Sequence, residues 1–353
     1  MPSSTAPSST PTTPACITAI PDSNGHVPPY ACNALYQYNP SLAAAIVFTL
    51  LFGLLTIAHI GLAVLHRKRF CWVLITGAIW EFVSFILRAL GTRNQQNEAL
   101  VILSTLLFLL APLWINAFVY MTAGRLVYFL HPRKKLWRIE AVKIGRWFVG
   151  LDIFSFIVQA AGGVMMNPQA GAKTNGYGKN VYMVGVGVQQ VFILMFLALI
   201  VRFHLDMLRV ERQGREDTES DRRAGTVRWK LLTYTLYAVL VLITTRIIFR
   251  LIEFSAGVKG ATNVLVGTEG YVLGLDAVPM VLALVLLAVV HPGIVLKGPG
   301  SEFPSRKERK AAKKARKAEK ESRKGNNYLL QNSKGGPTVK ESMRMDRGMS
   351  HDV

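Results

Sequence analysis

The chain has 353 residues, of which 51% are hydrophobic and 18% are charged, and its formal net charge is +20. A soluble basic protein spreads its charge over its surface and keeps its apolar runs short. Here the apolar residues come in runs of about 20, the length that crosses roughly 30 Å of hydrocarbon, and the basic residues lie between and after these runs. This pattern excludes a soluble globular protein and predicts an all-α membrane protein.

The first 41 residues are rich in Ser, Thr and Pro, and Asp22 is their only acidic or basic side chain apart from one histidine. No basic segment followed by an apolar segment opens the chain, so the pattern does not predict a cleaved signal peptide. Residues 1–41 are therefore predicted to form a disordered tail. Cys16 and Cys32 both lie in this tail, and they would pair as a disulfide only if that side of the membrane is oxidising.

Seven apolar segments follow this tail and predict a seven-transmembrane helix bundle over residues 42–292. The predicted spans are 42–65, 71–90, 99–122, 145–166, 181–201, 231–252 and 264–290. Residues 293–353 form a basic tail after the last span. An odd number of spans places the two ends of the chain on opposite sides of the membrane.

Lys and Arg residues are strongly biased to one side of this predicted bundle. Of the 41 basic residues, 34 lie on the side of the C-terminal tail: in the tail itself, in the connections on that side, or at the start of the fourth span. The connections on the opposite side hold four. Because basic loops stay in the cytosol, we predict that the N-terminus lies outside and the C-terminus in the cytosol.

The basic run over residues 306–324 has no apolar face. It is interpreted first as a topology determinant and a solvated tail. The alternative is that it binds anionic lipid of the inner leaflet, which contributes about 1 kcal/mol per basic residue near the surface. Beside seven spans, nucleic acid is not expected as a partner.

Eight ionisable side chains fall within or at the edges of the spans: Glu81, Arg88, Asp152, Arg246, Arg250, Glu253, Glu269 and Asp276. An acidic or basic residue at the centre of a membrane helix costs about 2.5–3.5 kcal/mol, so it persists only where it faces a partner or a wet cavity. Arg246, Arg250 and Glu253 share one helical face, and Arg250 is close enough to Glu253 to pair. The pattern predicts a polar and slightly acid-rich interior that the helices share.

Further polar residues inside the spans repeat this pattern. Glu81 and Arg88 are seven residues apart in span two, Asp152 and Gln159 are seven apart in span four, and Glu269 and Asp276 are seven apart in span seven. Each spacing places two residues on one helical face. The alternative is that these groups form interhelical ion pairs that set helix register and bind no ligand.

Two prolines, Pro112 and Pro279, lie inside spans and are predicted to kink their helices, which leaves carbonyl groups for neighbours to satisfy. His59 is interpreted as a hydrogen-bonding residue in helix packing.

Several kinds of chemistry are excluded by what the spans lack. A retinal protein needs a Lys in the last span, and none lies between Lys259 and Lys297. A seven-span zinc hydrolase needs clustered His ligands, whereas His59 is the only deep His and there is no HExxH. No nucleotide-binding motif is present. The sequence therefore predicts a protein that is not an enzyme and has neither a cofactor nor a metal.

The order and spacing of these residues over about 36–293 resemble the fungal RTA-like proteins, the lipid-translocating exporter family. The most specific block runs from Arg246 through Ile247-Ile248-Phe249-Arg250-Leu251-Ile252 to Glu253. Other matching pieces are Tyr36 to Ser41, His59, Glu81, Arg88, Ala111-Pro112, Tyr120, Gly124-Arg125, Asp152, Ser155, Gln159, Gly162-Gly163, Gly187, Gln190, Gly257, Gly260, Glu269, Tyr271 and Asp276. One departure is Ser84-Phe85, where the family usually has Gly-Tyr.

The resemblance implies a fungal plasma-membrane protein that exports or flips lipid-like amphiphiles, such as sphingoid bases, and that contributes to resistance. We hypothesise that Glu253, Glu269 and Asp276 bind a cationic head group, while Arg246 and Arg250 hold these acids or accept a phosphate. The complete set of candidate substrate-binding residues is Glu81, Arg88, Asn116, Tyr120, Asp152, Gln159, Gln190, Arg246, Arg250, Glu253, Glu269, Tyr271 and Asp276.

Two other functional classes stay open at this point. A seven-span receptor or stress sensor that regulates lipid asymmetry without transport would share the predicted topology. A lipid-modifying enzyme is a third class, for which no nucleophile and base are visible. Membrane lipids or amphiphilic small molecules are the expected partners, and the sequence leaves the oligomeric state open.

Overall fold

The computed structural model describes residues 17–28, 31, 33–36, 38–137, 139–166, 172–213, 219–255 and 268–296, and parts of the stretch 303–323. Within these residues, seven helices are long and apolar enough to cross a membrane. This finding confirms the predicted all-α, seven-span architecture. Cys16 and Cys32, the two predicted disulfide partners, lie outside the described residues, as do Gly257 and Gly260.

The helices of the first six spans have these bounds: α1 Leu42–His66, α2 Trp72–Gly91, α3 Glu98–Leu130, α4 Ala141–Met165, α5 Ala172–Gln213 and α6 Glu219–Ser255. The seventh span consists of α7 Glu269–Val272, a π-helical turn Leu273–Ala277 and α8 Val278–Val289. A 3₁₀ turn over Arg69–Cys71 leads into α2, and the short helix α9 Pro292–Val295 follows α8. A two-residue hairpin, β1 Lys135–Leu136 with β2 Ile139–Glu140, precedes α4.

Helices α5 and α6 extend well beyond the apolar segments that predict them. The sequence ends the fifth span at residue 201, whereas α5 continues to Gln213 through charged residues that are good helix formers. An ion pair of 3.3 Å between Arg202 and Asp206 supports this extension within α5. A second ion pair, of 2.9 Å, joins Lys230 of α6 to Glu211 of α5. Hydropathy locates the part of a helix that lies in lipid, and the helix itself ends elsewhere.

The seven spans form a closed bundle in which α3 is central. Consecutive spans pack side by side, and α8 packs against both α6 and α1. Helix α3 contacts α2, α4, α5 and α6, and it contributes the fully buried Phe118 and Tyr120. Apolar side chains such as Leu54 and Ile57 of α1 are exposed on the outside of the bundle, where a membrane protein meets lipid tails.

Helices α4 and α5 approach closely because glycines line their contact. A side-chain carbon at Gly162 would collide with the backbone of Tyr182, and one at Gly178 would lie 2.8 Å from Cβ of Met165. Small residues at such contacts let helix backbones meet in membranes, where packing rather than the hydrophobic effect drives helix association. α4 and α5 therefore behave as one packed pair.

The described part of the N-terminal segment is packed against the bundle, although the sequence predicts a disordered tail over 1–41. Asn33 exchanges two hydrogen bonds with the backbone of Ala19, at 3.1 and 2.9 Å. The backbone N–H of Gln95 donates to the carbonyl of Asn24 at 3.0 Å, and Val27 is buried. Composition could not reveal this order, because it depends on backbone groups that find partners in the α2–α3 connection.

The bundle also extends slightly past its predicted end at residue 292, because Leu296 after α9 is fully buried. Beyond it, the described pieces of 308–323 are helical and exposed, as a stretch without an apolar face should be.

Candidate functional site

Five of the predicted residues form one alternating chain of carboxylates and guanidiniums, which joins α2, α6 and the π-helical turn. Its members in order are Glu81, Arg246, Asp276, Arg250 and Glu253. Arg246 lies 3.6 Å from an oxygen of Glu81 and 2.6 Å from one of Asp276. Arg250 pairs with the other oxygen of Asp276 and, at 3.0 Å, with Glu253. We call these five residues the ion chain.

The ion chain contains three carboxylates and two guanidiniums, so one negative charge is uncompensated when all five groups are ionised. Glu81 and Asp276 have no exposed surface, whereas the side chain of Glu253 at the other end is 16% exposed. Asp276 pairs with two guanidiniums, whereas Glu81 has one ion pair among the described residues, at 3.6 Å. Glu81 is therefore the least compensated member of the chain.

Asp276 contacts both arginines from a π-helical turn that the sequence does not predict. Such turns insert an extra residue into a helix and occur frequently at functional sites. The sequence predicts Glu269 and Asp276 on one face of a regular helix. In the structure Asp276 pairs with Arg246 and Arg250, whereas Glu269 pairs with Arg88 of α2.

A second group lies at the C-terminal end of α2, and we call it the outer cluster because the distribution of Lys and Arg predicts that this end faces outside. Arg88 donates to Glu269 at 2.9 Å and to the hydroxyl of Tyr38 at 2.6 Å. The other oxygen of Glu269 accepts the backbone N–H of Ser41 at 2.7 Å. The outer cluster thus joins the segment before α1 to the end of α2 and to the start of the seventh span. Tyr38 lies in the N-terminal motif, but no feature of the sequence indicates that it pairs with Arg88.

A third group surrounds Asp152 of α4 and contains no charged partner among the described residues. Asn116 Nδ2 and the Tyr120 hydroxyl, both on α3, donate to the same carboxyl oxygen at 3.0 Å. Asp152 is 2% exposed, and its other oxygen has no described hydrogen-bond partner. The ring of Phe196 on α5 packs edge-on against Tyr120, with the ring centroids 4.5 Å apart.

The remaining predicted residues lie apart from these groups. Gln159 donates to Gln189 at 3.0 Å, and Gln190 lies 3.4 Å from the hydroxyl of Thr244. Tyr271 is 43% exposed and lies in none of these clusters. Gln189, which is not among the predicted residues, is adjacent to the predicted Gln190. The rotation of α5 about its axis decides which of the two contacts Gln159, and the sequence does not determine that rotation.

His59 donates to the carbonyl of Leu284 on α8 at 3.1 Å, as expected for a helix-packing residue.

The contacts correct the prediction that all these polar side chains share one interior. They fall into the ion chain, the outer cluster, the Asp152 group and the glutamine contacts. The predicted pairing of Arg250 with Glu253 is confirmed. Glu81 and Arg88 are seven residues apart, which separates them by about 10 Å along a helix, and each pairs with a residue of another helix.

The departure at Ser84-Phe85 is accommodated by close packing of α2. The Ser84 hydroxyl donates to the carbonyl of Ser104 on α3 at 2.7 Å. Phe85 stacks on Phe48 and Phe52 of α1, with ring centroids 5.1 and 5.4 Å apart.

Two surface cavities lie elsewhere on the bundle. A cavity of about 270 Å³ borders the α2–α3 connection and is lined by residues that include Asp22, Arg93 and Gln95. A groove of about 510 Å³ runs along α4 beside Arg146 and Trp147. Neither is lined by a member of the ion chain, so the ion chain is closed to both in this conformation.

Comparison with known proteins places the chain in a family. Residues 74–299 match the family described as RTA1 like protein. The chain is 43% identical to the probable lipid transporter atnI of Emericella nidulans, over 88% of this chain and 81% of that protein. It is 29% identical to protoporphyrin uptake protein 1 of Saccharomyces cerevisiae, over 72% of this chain and 91% of that protein.

A third relative is the sphingoid long-chain base transporter RSB1 of Saccharomyces cerevisiae, 25% identical over 77% of each chain. No solved structure matches the chain at a significant level. The family match covers the second to the seventh span, including every member of the ion chain. The chain is a multi-pass membrane protein that belongs to the RTA1 like protein family.

Proposed function

We propose that this chain is a transporter that moves lipid-like amphiphiles across or out of the membrane that it spans. The names of three relatives support this, since they describe a probable lipid transporter, a sphingoid long-chain base transporter and a protoporphyrin uptake protein. We further propose that it acts in the plasma membrane, with the N-terminus outside and the basic 306–324 stretch against anionic inner-leaflet lipid.

The observation that carries the proposal is the excess carboxylate of the ion chain. A bundle that needed charges only for packing would match acids and bases in number. Here Glu81 is fully buried, and its one ion pair among the described residues, with Arg246, has a distance of 3.6 Å. A cationic head group supplies the missing positive charge, and intramembrane charges of this kind commonly mark a pathway.

The graded burial of the ion chain suggests the route of the head group. Glu253 is the more exposed end and Glu81 is the enclosed end. With the N-terminus outside, α6 ends at the outer face, so an exported ammonium passes by exchange along the chain from Glu81 to Glu253, where it competes with Arg250 for that carboxylate. The apolar tail of the amphiphile stays in lipid between helices, so only the head group enters the polar interior.

The outer cluster is the proposed gate on the outer side. Arg88, Glu269 and Tyr38 join α2, the seventh span and the N-terminal segment, so they hold these three elements together. Release of a head group to the outside therefore requires the contact between Arg88 and Glu269 to open.

The proposal is tested by a reconstituted flipping assay with a fluorescent sphingoid base as the probe. The purified full chain is placed in liposomes, and probe that reaches the outer leaflet is extracted by albumin. Wild type is compared with Glu81→Gln and Glu253→Gln, and with Glu140→Gln as a control at an exposed acid outside the spans. We expect the two ion-chain variants to be at least about tenfold slower, which corresponds to about 1.4 kcal/mol.

Two results would overturn this account. Probe that binds but does not move in wild-type liposomes would indicate a receptor or sensor. Equal rates in all variants would remove the ion chain from head-group binding.

A further inference from the structure

We propose that Asp152 is a proton-binding site, separate from the ion chain, whose protonation controls the contact between α3 and the packed pair of α4 and α5. The site itself follows from geometry alone. Its use in moving an amphiphile rests on the proposed function.

Asp152 differs from every acid of the ion chain in its surroundings. Each of those acids contacts a guanidinium, whereas Asp152 forms no ion pair with a described residue and has only Asn116 and Tyr120 as donors. A carboxylate enclosed without a counter-charge is costly in a low-dielectric interior. A carboxyl in this position therefore requires a bound cation or proton.

The titratable groups of the neighbouring helices face elsewhere. From α3, Tyr120 faces Asp152, while Arg125 lies over the ring of Phe70. From α5, Tyr182 packs on Phe254 and His204 contacts Tyr237 of α6. On α4 itself, Lys143 and Arg146 are exposed.

A hydrogen-bond inventory of the group shows what it lacks. The Tyr120 hydroxyl and one N–H of Asn116 both donate to Oδ2 of Asp152. Two acceptors, Oδ1 of Asp152 and Oδ1 of Asn116, have no partner among the described residues. The group thus has more acceptors than donors, and Oδ1 of Asp152 is a buried, unpartnered position at which a proton can bind.

The packing favours a proton over a larger cation. The rings of Phe148 and Phe196 lie 5.6 and 4.5 Å from that of Tyr120, and they lie 5.0 Å from each other. Among the described residues, no cluster of three His, Cys, Asp or Glu side chains that would suit a metal ion is present. Neither of the two surface cavities is lined by a member of this group, so an ammonium head group would need the helices to part, whereas a proton fits without movement.

The protonation state changes how strongly α4 holds α3. When Asp152 is ionised, Asn116 and Tyr120 make charge-assisted hydrogen bonds, which are roughly twice as strong as neutral ones. When Oδ1 binds a proton, both bonds become neutral and the contact loosens. Because glycines pack α4 tightly on α5, loosening at Asp152 frees the two helices together. A proton bound on one side and released on the other can thus drive a cycle of the transporter.

The test is an infrared pH titration of the full chain in liposomes without any amphiphile. A protonated carboxyl gives a C=O stretching band distinct from that of a carboxylate. We expect a band that grows as the pH falls, with a component that is present in wild type and absent from Asp152→Asn, in which the other carboxyl groups still titrate. In Tyr120→Phe, which removes one donor but keeps the acid, the band should persist at a shifted frequency.

A titrating band with the same frequency and amplitude in wild type and Asp152→Asn, or a spectrum of Tyr120→Phe identical to wild type, would overturn the assignment. If Asp152→Asn fails to fold, Tyr120→Phe and Asn116→Ala decide, because both keep the carboxyl and change its donors.

A second measurement keeps this proposal distinguishable from the proposed function. The flipping rate of the fluorescent sphingoid base is measured against pH in wild type and Asp152→Asn. We expect the rate to vary with pH in wild type and to lose that dependence in the variant. A titrating band in a wild-type protein that does not flip the probe would contradict the proposed transport function and leave the proton-binding site supported. Flipping with the same pH dependence in both proteins would show that the site does not control transport.

Discussion

The Arg246 guanidinium donates a hydrogen bond of 2.9 Å to the backbone carbonyl of Phe108. Phe108 lies four residues before Pro112 in α3, and proline has no N–H to complete the helical hydrogen bond to that carbonyl. Inside hydrocarbon an unpaired carbonyl costs several kcal/mol. Arg246 therefore replaces the hydrogen bond that Pro112 removes, as well as pairing with two carboxylates.

This relationship predicts energetic coupling between Pro112 and Arg246. Pro112→Ala returns an N–H to α3, so that Phe108 regains a helical partner. Arg246→Lys keeps the charge but loses the planar fork that reaches three groups at once. We expect Arg246→Lys to cost less in the Pro112→Ala background, with a coupling of about 0.5–3 kcal/mol. Reversible unfolding of the four proteins in mixed micelles measures it, and additive effects would contradict it.

The two fully buried acids of the ion chain should differ sharply in their effect on stability. Asp276 binds both arginines, so Asp276→Asn leaves two guanidiniums poorly compensated, and we expect a loss of about 3–5 kcal/mol. Glu81 carries the excess charge, so Glu81→Gln should change stability by less than about 1 kcal/mol. The free energy of unfolding of the two variants is measured in micelles. Equal losses of stability would show that the excess negative charge of the ion chain does not lie on Glu81.

The sequence was sufficient to predict the seven spans, because lipid requires long apolar helices. It also indicated that the embedded charges need partners, and each of Glu81, Arg88, Arg246 and Asp276 has one. The pattern did not reveal which partners these are. Pairing between helices depends on their rotation, and one π-helical turn in the seventh span changes the rotation of every residue around it.

Phe108 illustrates a signal that was present but incomplete. Pro112 predicts that the carbonyl of Phe108, four residues earlier, lacks its helical partner. Nothing in the sequence predicts that Arg246 of α6 donates to this carbonyl. Likewise, the order of the segment before α1 depends on Glu269, more than two hundred positions along the chain. Local composition contains no information about such a contact.

Glu269 should control how firmly the N-terminal segment is held. Glu269→Ala removes the acceptor of both Arg88 and the Ser41 N–H, so we expect faster proteolytic cleavage within residues 17–41. The control is Glu98→Ala, at an exposed acid at the start of α3. Cleavage rates are measured on proteoliposomes with protease outside, for the molecules whose N-terminal segment is accessible. Equal rates in the two variants would mean that other contacts hold the segment.

Adjacent glycines in α4 provide a matched pair for testing the α4–α5 contact. A methyl group at Gly162 would overlap the backbone of Tyr182, whereas one at Gly163 would have no atom within 4 Å. Both substitutions lower the entropy of the unfolded chain and raise helix propensity equally, so their difference isolates the contact.

We expect Gly162→Ala to destabilise the bundle by about 1–3 kcal/mol relative to Gly163→Ala, since backbone atoms cannot move aside as a flexible side chain can. Unfolding in mixed micelles measures the difference. If both variants were as stable as wild type, α4 and α5 would be able to separate at little cost, and they would not move as the packed pair on which the role of Asp152 depends.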